Sequence, residues 1–129
     1  MNLLIVDDNR YLSHCLCNFF AEQGHSCSSL WDGSKVIPWL ESHGADAIIL
    51  DLKMPLTDGL AVTKMVREKC GDIPILILTG AGYEETLLQA ALDSGANGFL
   101  SKAMGPSSIL VALERIVTQE PCRIARRAA

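Results

Sequence analysis

Charged and hydroxyl side chains follow short apolar runs at four places in this chain of 129 residues. Asp7 and Asp8 come directly after residues 3–6, and Asp51 comes directly after residues 47–50. Further along, Thr79 follows the apolar run 75–78, and Lys102 follows the short run 98–101. If one fold brought these side chains together, three carboxylates, a hydroxyl and an ammonium group could bind a cation and a phosphoryl group.

The three carboxylates predict a site for a hard divalent cation. Clustered carboxylates repel one another and resist ionisation unless a cation lies among them. These motifs contain no Cys or His, so the ligands would all be oxygens, which favours Mg²⁺, with Mn²⁺ as the alternative. One carboxylate could be the nucleophile toward a phosphoryl group, whose oxygens the Lys102 ammonium and the Thr79 hydroxyl would stabilise. Backbone N–H groups near Lys53 and Gly80 would add further donors.

Each of these residues also has a simpler explanation when it is taken alone. Asp7 or Asp8 could cap a helix, and Lys102 could be a solvated surface charge. Asp51 and Thr79 could each begin a turn. The agreement of four separate segments nevertheless favours one functional site.

The elements that must position these residues are five predicted strand–helix units. The predicted strands cover residues 2–6, 26–31, 47–50, 73–78 and 98–101, and the predicted helices cover 10–23, 34–43, 58–69, 83–94 and a segment beginning at Pro106. Strands that are apolar on both faces and joined by helices indicate a parallel sheet covered on both sides. With right-handed crossovers this predicts an α/β fold, a flavodoxin-like doubly wound (βα)5 three-layer sandwich with strand order 2-1-3-4-5 and the polar second strand at an edge. In that order strands 1, 3, 4 and 5 are neighbours, so the residues that follow them would share one pocket.

Composition and charge exclude several other classes of protein. Hydrophobic residues make up 49% of the chain and charged residues 20%, which excludes a disordered chain. The apolar runs are too short to span a membrane, and the acids that follow the first run are unlike a secretory signal, so we expect a cytoplasmic protein. The five cysteines show no zinc-ligand spacing and are expected to be reduced. Residues 1–113 carry seven basic and thirteen acidic side chains, a net charge of −6, which argues against nucleic-acid binding by this part of the chain.

Four motifs over about residues 2–118 give the chain a specific resemblance to the receiver domain of bacterial two-component response regulators. They are Leu4-Ile5-Val6-Asp7-Asp8-Asn9, Asp51-Leu52-Lys53-Met54-Pro55-Leu56-Thr57-Asp58-Gly59, Thr79-Gly80 and Gly95-Ala96-Asn97-Gly98-Phe99-Leu100-Ser101-Lys102. The resemblance implies a receiver domain at residues 1–119. Residues 120–129 would then be a basic C-terminal tail or linker.

The resemblance implies a role for each residue of the predicted pocket. Asp51 matches the phosphoacceptor. Asp8, Asp51 and the backbone carbonyl of Lys53 match the Mg²⁺ ligands, with Asp7 contributing largely through water. The chain would act as a switch that catalyses only its own phosphorylation and dephosphorylation, and not as an enzyme with other substrates.

Two further matches concern the response to phosphorylation. Thr79 matches the hydroxyl that bonds the phosphoryl group, and Lys102 matches the lysine that pairs with it. Phe99 matches the aromatic side chain that turns inward when the threonine moves, and the alternative for Phe99 is simple filling of the core. The surface of helix 4, strand 5 and helix 5 would then change.

The resemblance also implies partners. The phosphoryl donor would be a sensor histidine kinase or a histidine phosphotransfer protein, which docks on helix 1 and the loop after strand 5. A homodimer through helix 4, strand 5 and helix 5 is a further possible assembly. We do not expect the chain to bind a membrane. DNA would be bound only through an output domain absent from this chain, which is therefore a stand-alone switch or the receiver of a longer regulator. The pair Asn97-Gly98 and the absence of a proline after Lys102 are similar to the subgroup with a LuxR-type helix-turn-helix output that regulates transcription.

Two positions depart from the family pattern. Ala103 stands where many relatives have a proline with a cis peptide bond, so we expect a trans bond or a mobile turn after Lys102. Lys53 and Ala81 border the path of water to the phosphoryl group. We therefore hypothesise that Lys53 affects the lifetime of the phosphorylated state.

Three other functions are compatible with parts of the pattern. A phosphatase of the haloacid dehalogenase type would need a general acid two residues after its nucleophile, where this chain has Lys53. A flavin carrier would need a phosphate-binding loop after strand 1, where Asp7 and Asp8 would repel the flavin phosphate. A phosphorylation-independent adaptor with a receiver fold is the alternative that the retained pocket residues argue against without excluding it.

Overall fold

A five-stranded parallel sheet forms the centre of the computed structural model, which describes residues 1–54, 57–80 and 85–118. Its strands are β1 (Asn2–Val6), β2 (Ser26–Leu30), β3 (Ala47–Asp51), β4 (Ile75–Thr79) and β5 (Gly98–Ser101). Their order is β2-β1-β3-β4-β5, and every pair is parallel. This confirms the predicted doubly wound fold, with the polar strand β2 at an edge.

Five helices connect and cover the strands. They are α1 (Arg10–Glu22), α2 (Val36–His43), α3 (Gly59–Cys70), α4 (Glu85–Asp93) and α5 (Pro106–Thr118). Short 3₁₀ turns at Gly33–Lys35 and Lys102–Met104 precede α2 and α5. None of the helices in the described ranges is long and apolar enough to cross a lipid bilayer.

Some boundaries of these elements were predicted wrongly from the sequence. β4 begins at Ile75, two residues later than predicted, because Pro74 has no N–H to donate to a neighbouring strand. Asp51 is the last residue of β3 and pairs with Leu78 of β4, whereas the prediction ended the strand at residue 50. Lys53–Met54 and Thr57–Asp58 form a short antiparallel hairpin that the sequence pattern did not predict. The predicted tail 120–129 and the predicted helix start at 83 lie outside the described residues.

Two apolar cores form because successive residues of a strand point to opposite faces of the sheet. Leu4 and Val6 of β1 pack on the side of α2, α3 and α4. Leu3 and Ile5 pack on the side of α1 and α5. Both faces of the central strands are therefore buried, which explains why their sequences are continuous apolar runs and not alternating ones.

The residue that caps α1 leaves the side chains of Asp7 and Asp8 available for other contacts. The side chain of Asn9 accepts a hydrogen bond from the backbone N–H of Leu12 at 3.0 Å and so begins α1. Asp58 caps α3 in the same way, through the N–H of Leu60 at 2.9 Å. Because Asn9 supplies the cap of α1, the simpler explanation of Asp7 or Asp8 as a helix cap does not hold.

Candidate functional site

The register of the sheet brings the predicted site residues to one edge. Val6 of β1 lies beside Leu50 of β3, so the next residues, Asp7 and Asp51, are neighbours. In the same way, Thr79 at the end of β4 lies beside Ser101 of β5, the residue that precedes Lys102. The parallel topology alone therefore gathers residues that lie far apart in the sequence.

Asp7, Asp8 and Asp51 form a carboxylate cluster. Each contributes one oxygen atom, and these oxygens lie within 4.8 Å of one another. Asp7 and Asp51 are only 2% and 6% exposed, whereas Asp8 is exposed. The backbone N–H of Asn9 donates to Oδ1 of Asp7 at 2.9 Å, and the N–H of Lys53 donates to Oδ1 of Asp51 at 3.1 Å. These bonds fix the orientation of the two buried carboxylates.

The ammonium group of Lys102 pairs with both buried carboxylates. Its Nζ lies 2.9 Å from Oδ2 of Asp7 and 3.4 Å from Oδ2 of Asp51. Burial raises the pKa of Asp51 above its ordinary value; the charge of Asp7 adds to this rise, while the N–H of Lys53 and the charge of Lys102 oppose it. Burial alone would lower the pKa of Lys102, but the close contact with Asp7 and the charge of Asp51 outweigh burial and raise the pKa. Lys102 is therefore a firmly protonated cation at this site.

The cluster has the composition of a site for a hard cation. Its potential ligands are carboxylate oxygens alone, and the single Lys102 charge leaves most of their negative charge uncompensated. Oδ1 of Asp7 accepts the Asn9 N–H, and its buried Oδ2 is ion-paired with Lys102 but has no hydrogen-bond partner within the described residues, so a bound cation or its water would supply one. The residues present therefore fit a bound divalent cation.

A cavity of about 120 Å³ opens next to the cluster. Asp51, Thr79 and Lys102 line it together with Lys53 and Gly80. Its remaining wall is apolar and comes from Leu52, Leu78, Leu87 and Leu88. A small tetrahedral anion in this cavity would therefore meet a cation and a hydroxyl beside the Asp51 carboxylate.

Phe99 lies on a different surface from this cavity. Its side chain is 46% exposed and lines a groove beside α4. The alternative that Phe99 fills the core is therefore wrong for this conformation. Leu88 of α4 lines both the groove and the cavity, so the two spaces share one apolar side chain in their walls.

The segments that depart from the family pattern are partly described. The Lys102–Ala103 peptide bond is trans, and the hydroxyl oxygen of Ser101 accepts a hydrogen bond from the Ala103 N–H at 3.1 Å. The chain then turns at Gly105, whose φ of +86° favours glycine. The Lys53 side chain is exposed at the mouth of the site. Ala81 lies outside the described residues.

Two residues that the chemical argument did not single out have structural roles, one beside the site and one at the opposite edge of the sheet. A Cβ atom on Gly59 would lie 2.7 Å from the Cα of Leu52, the residue after Asp51, so only glycine lets α3 begin so close to β3. The pair Asp58-Gly59 was the only signal of this in the sequence. Arg67 of α3 joins the loops at the opposite edge of the sheet, and its spacing gave no indication of this role.

The comparisons with known proteins agree with this geometry. The family model described as "Response regulator receiver domain" matches residues 3–114. Response regulator MprA of Mycobacterium avium (strain 104) is 32% identical over 117 residues, which cover 91% of this chain and 51% of that protein. Response regulator MprA of Mycolicibacterium vanbaalenii is 31% identical over 117 residues, which cover 50% of that protein. The chain thus spans about half the length of these curated relatives.

Solved structures show the same fold. A putative response regulator from Chloroflexus aurantiacus has a TM-score of 0.83 at 28% identity, with 91% of this chain and 97% of that one covered. The chemotaxis response regulator CheY4 of Vibrio cholerae has a TM-score of 0.80 at 26% identity, with 89% and 97% covered. The sheet, the acidic edge and the family match define a two-component signalling module. This chain belongs to the response regulator receiver domain family.

Proposed function

We propose that this domain accepts a phosphoryl group on Asp51 from a phosphohistidine of a sensor kinase or of a histidine phosphotransfer protein. The observation that carries the proposal is the position of Asp51, whose carboxylate lies between the other two acids, Lys102 and the cavity that Thr79 lines. We assign residues 1–119 to this domain and residues 120–129 to a tail or linker.

In the proposed transfer, a carboxylate oxygen of Asp51 forms a bond to phosphorus while the bond between phosphorus and the histidine nitrogen breaks. The histidine nitrogen keeps the electron pair, and Asp51 becomes an acyl phosphate. Lys102 would pair with one phosphoryl oxygen, and the Thr79 hydroxyl would donate to another. In dephosphorylation, a water oxygen would attack phosphorus, the bond from phosphorus to the Asp51 oxygen would break, and inorganic phosphate would leave. The domain would thus catalyse only its own phosphorylation and dephosphorylation.

Mg²⁺ would be held by Asp8, Asp51 and the backbone carbonyl of Lys53, with Asp7 in contact largely through water. The ion would offset the charge that the carboxylates and the phosphoryl group bring together. The buried Oδ2 of Asp7 supports this indirect role, because it has no hydrogen-bond partner within the described residues and a water on the ion could donate to it. Mn²⁺ would satisfy the same oxygen ligands.

The output of the domain would be the surface formed by α4, β5 and α5. Thr79 would move toward the phosphoryl group, and Phe99 would turn from its exposed position into the space this leaves. Leu88 supports this link because it lines both the cavity and the groove that Phe99 also lines. The surface would then control a partner, a second copy of the chain or transcription through a linked DNA-binding domain.

Acetyl phosphate with Mg²⁺, followed by intact mass measurement, tests the proposal directly. We expect the wild-type protein to gain one phosphoryl group and Asp51→Asn to gain none. Asp46→Asn is the matched control, because Asp46 precedes the same strand at the opposite edge of the sheet and should leave the modification unchanged. A wild-type protein that is folded and still unmodified at high donor and metal concentrations would refute the phosphoacceptor role. Binding of beryllium fluoride separates the switch, which binds it, from an adaptor, which does not.

A further inference from the structure

Two cysteines face each other where α1 packs on the edge strand β2, away from the carboxylate cluster. Cys17 lies in the middle of α1, and Cys27 is the second residue of β2. Their Sγ atoms are 2.7 Å apart, and both residues are free thiols and half-buried. The sulfur atoms of a disulfide lie about 2.05 Å apart, so a small closing movement would suffice to join them. Both side chains pack against the core on the α1 and α5 side, which holds them in place.

The two thiols have different acidities. The hydrogen bond between them lowers the pKa of Cys17, against an opposing effect of burial. The same hydrogen bond raises the pKa of Cys27, and burial adds to that rise. Because the thiolate is the nucleophile in thiol chemistry, the lowered pKa favours Cys17 as the attacking sulfur, and the 2.7 Å contact places Cys27 to receive the bond.

We propose that Cys17 and Cys27 form a redox-active pair, which hydrogen peroxide converts into an intramolecular disulfide between α1 and β2. In the first step the Cys17 thiolate attacks one peroxide oxygen, the O–O bond breaks, and the leaving hydroxide takes up a proton to become water. In the second step the Cys27 sulfur attacks the Cys17 sulfenic acid. The S–O bond breaks, and the departing hydroxide takes the Cys27 proton as a second water. Two thiols and one peroxide thus give one disulfide and two waters.

Reduction reverses the modification by thiol–disulfide exchange. One molecule of a small thiol attacks a sulfur of the bridge and forms a mixed disulfide, and a second molecule releases it as an oxidised dimer. The bridge would join the two elements that border the first acidic loop. α1 begins at Arg10, directly after Asp8 and Asn9, and the last residue of β2, Leu30, accepts a hydrogen bond from the Asp7 N–H at 3.1 Å. Oxidation would therefore link α1 to β2 covalently beside the carboxylate cluster, while leaving the cluster residues unmodified.

The positions of the cleavage sites make the bridge easy to detect. Trypsin leaves both cysteines on one peptide, because no Lys or Arg lies between Arg10 and Lys35. Glu22 is the single glutamate between the two cysteines, so a glutamate-specific protease separates them unless a disulfide holds the fragments together. The protein is treated with increasing hydrogen peroxide, its remaining thiols are alkylated, and the digest is analysed by mass spectrometry with and without dithiothreitol.

We expect the wild-type protein to lose two hydrogens and to yield a crosslinked fragment pair that dithiothreitol separates. Cys17→Ser and Cys27→Ser should both abolish the crosslink, and Cys27→Ser should stop at the sulfenic or sulfinic acid of Cys17. Cys15→Ser and Cys70→Ser are the matched controls and should keep the crosslink. Because Cys15 and Cys17 lie on the same fragment of the digest, the Cys15→Ser control also shows which of the two forms the bridge. The melting temperature should rise on oxidation in the wild type and in both controls, but not in the Cys17 and Cys27 variants, because a crosslink restricts the unfolded chain. Folded wild-type protein that consumes peroxide and gives only over-oxidised cysteines or disulfides between molecules would overturn the proposal.

Discussion

The carboxylate of Asp51 destabilises the folded protein when it is ionised, although the proposed function requires it. It is nearly buried beside the charge of Asp7, and Lys102 at 3.4 Å compensates only part of the cost. The folded state therefore binds the Asp51 proton more readily than the unfolded state does. It follows that the contribution of Asp51 to stability falls as the pH rises from about 3.8, the ordinary value of an aspartate, through the raised pKa of the folded state.

Asp51→Asn should for this reason stabilise the metal-free protein. The asparagine cannot ionise, so the variant should be more stable than the wild type at neutral pH by about 1 kcal/mol, or roughly 4 °C in melting temperature. The difference should vanish below the window of the two pKa values, where Asp51 is protonated in both states. Thermal unfolding followed by circular dichroism between acidic and neutral pH measures this. Asp46→Asn should show no comparable gain, and an Asp51→Asn variant less stable than wild type at neutral pH would contradict the argument.

The Lys53 side chain is expected to affect the lifetime of the phosphorylated state. Its backbone N–H orients Asp51, but its side chain is exposed at the edge of the cavity. Lys53→Ala keeps the N–H and removes only the side chain, so we expect phosphorylation to persist and the lifetime of the acyl phosphate to change by a few-fold. The decay of the phosphorylated mass after removal of donor measures the lifetime. Lys64→Ala, an exposed lysine on α3, is the control, and equal decay in both variants would rule out a role for Lys53.

The members of the site were predictable from the sequence because a parallel sheet places the carboxyl ends of its strands at one edge. Asp7, Asp51 and Lys102 needed only the order of the strands to be brought together. The orientation of Phe99 was not predictable in this way, since β5 is an edge strand and tertiary packing decides which way its side chains face. The hydrogen bonds of Arg67 were not predictable either, because its partners lie up to 30 residues away in the sequence.

At the scale of the elements, Arg67 joins α3 to the loops before β4 and β5. Its guanidinium donates hydrogen bonds of 2.9 Å to the carbonyls of Gly71, Ile73 and Gly95 and to the side-chain oxygen of Asn97. That oxygen also accepts a bond from the N–H of Ile75, at 2.8 Å. One side chain thus ties together four hydrogen-bond acceptors in the loops that precede β4 and β5.

Arg67→Lys should destabilise the fold by about 1–3 kcal/mol, because an ammonium group cannot reach the same set of acceptors. Asn97→Ala should have a cost of similar size, and the double variant should cost less than the sum, with a coupling of about 1 kcal/mol. Urea unfolding of the four proteins measures the cycle. Lys64→Gln on the same helix should change the free energy of unfolding by less than about 0.5 kcal/mol. Strict additivity of the two substitutions would show that Arg67 and Asn97 act independently.

Gly59 determines how closely α3 approaches the end of β3. Gly59→Ala would place a methyl group 2.7 Å from the Leu52 backbone, so the start of the helix must move, at a cost of about 1–3 kcal/mol. Gly98→Ala is the control, since its added methyl would meet Ile116 at an ordinary 3.6 Å. The same unfolding experiment compares the two variants. Because the Leu52 backbone adjoins Asp51, Gly59→Ala should also slow phosphorylation by acetyl phosphate, and an unchanged rate would separate the helix position from the site.

At the scale of the whole molecule, half of the large apolar side chains that the described residues expose belong to one edge strand of the sheet and the segment after it. Of the six large hydrophobic side chains that the described residues expose, Phe99, Met104 and Val111 belong to β5 and the segment that follows it. A monomer gains nothing from this exposure, whereas a partner surface would bury it. The distribution supports the proposed homodimer through α4, β5 and α5.

We expect beryllium fluoride with Mg²⁺ to shift the protein from monomer toward dimer, because the proposed switch alters this surface and leaves the rest of the fold unchanged. Size-exclusion chromatography with light scattering measures the molar mass in each state. Val111→Glu should keep the protein monomeric in the presence of beryllium fluoride, since Val111 is 54% exposed on α5 and a charge there would be buried in the dimer without a partner. Met65→Glu, at a half-exposed position on α3, should dimerise as the wild type does. If both variants bind beryllium fluoride and form dimers equally, the dimer uses another surface; if the wild type binds it and stays monomeric, the output is a different partner.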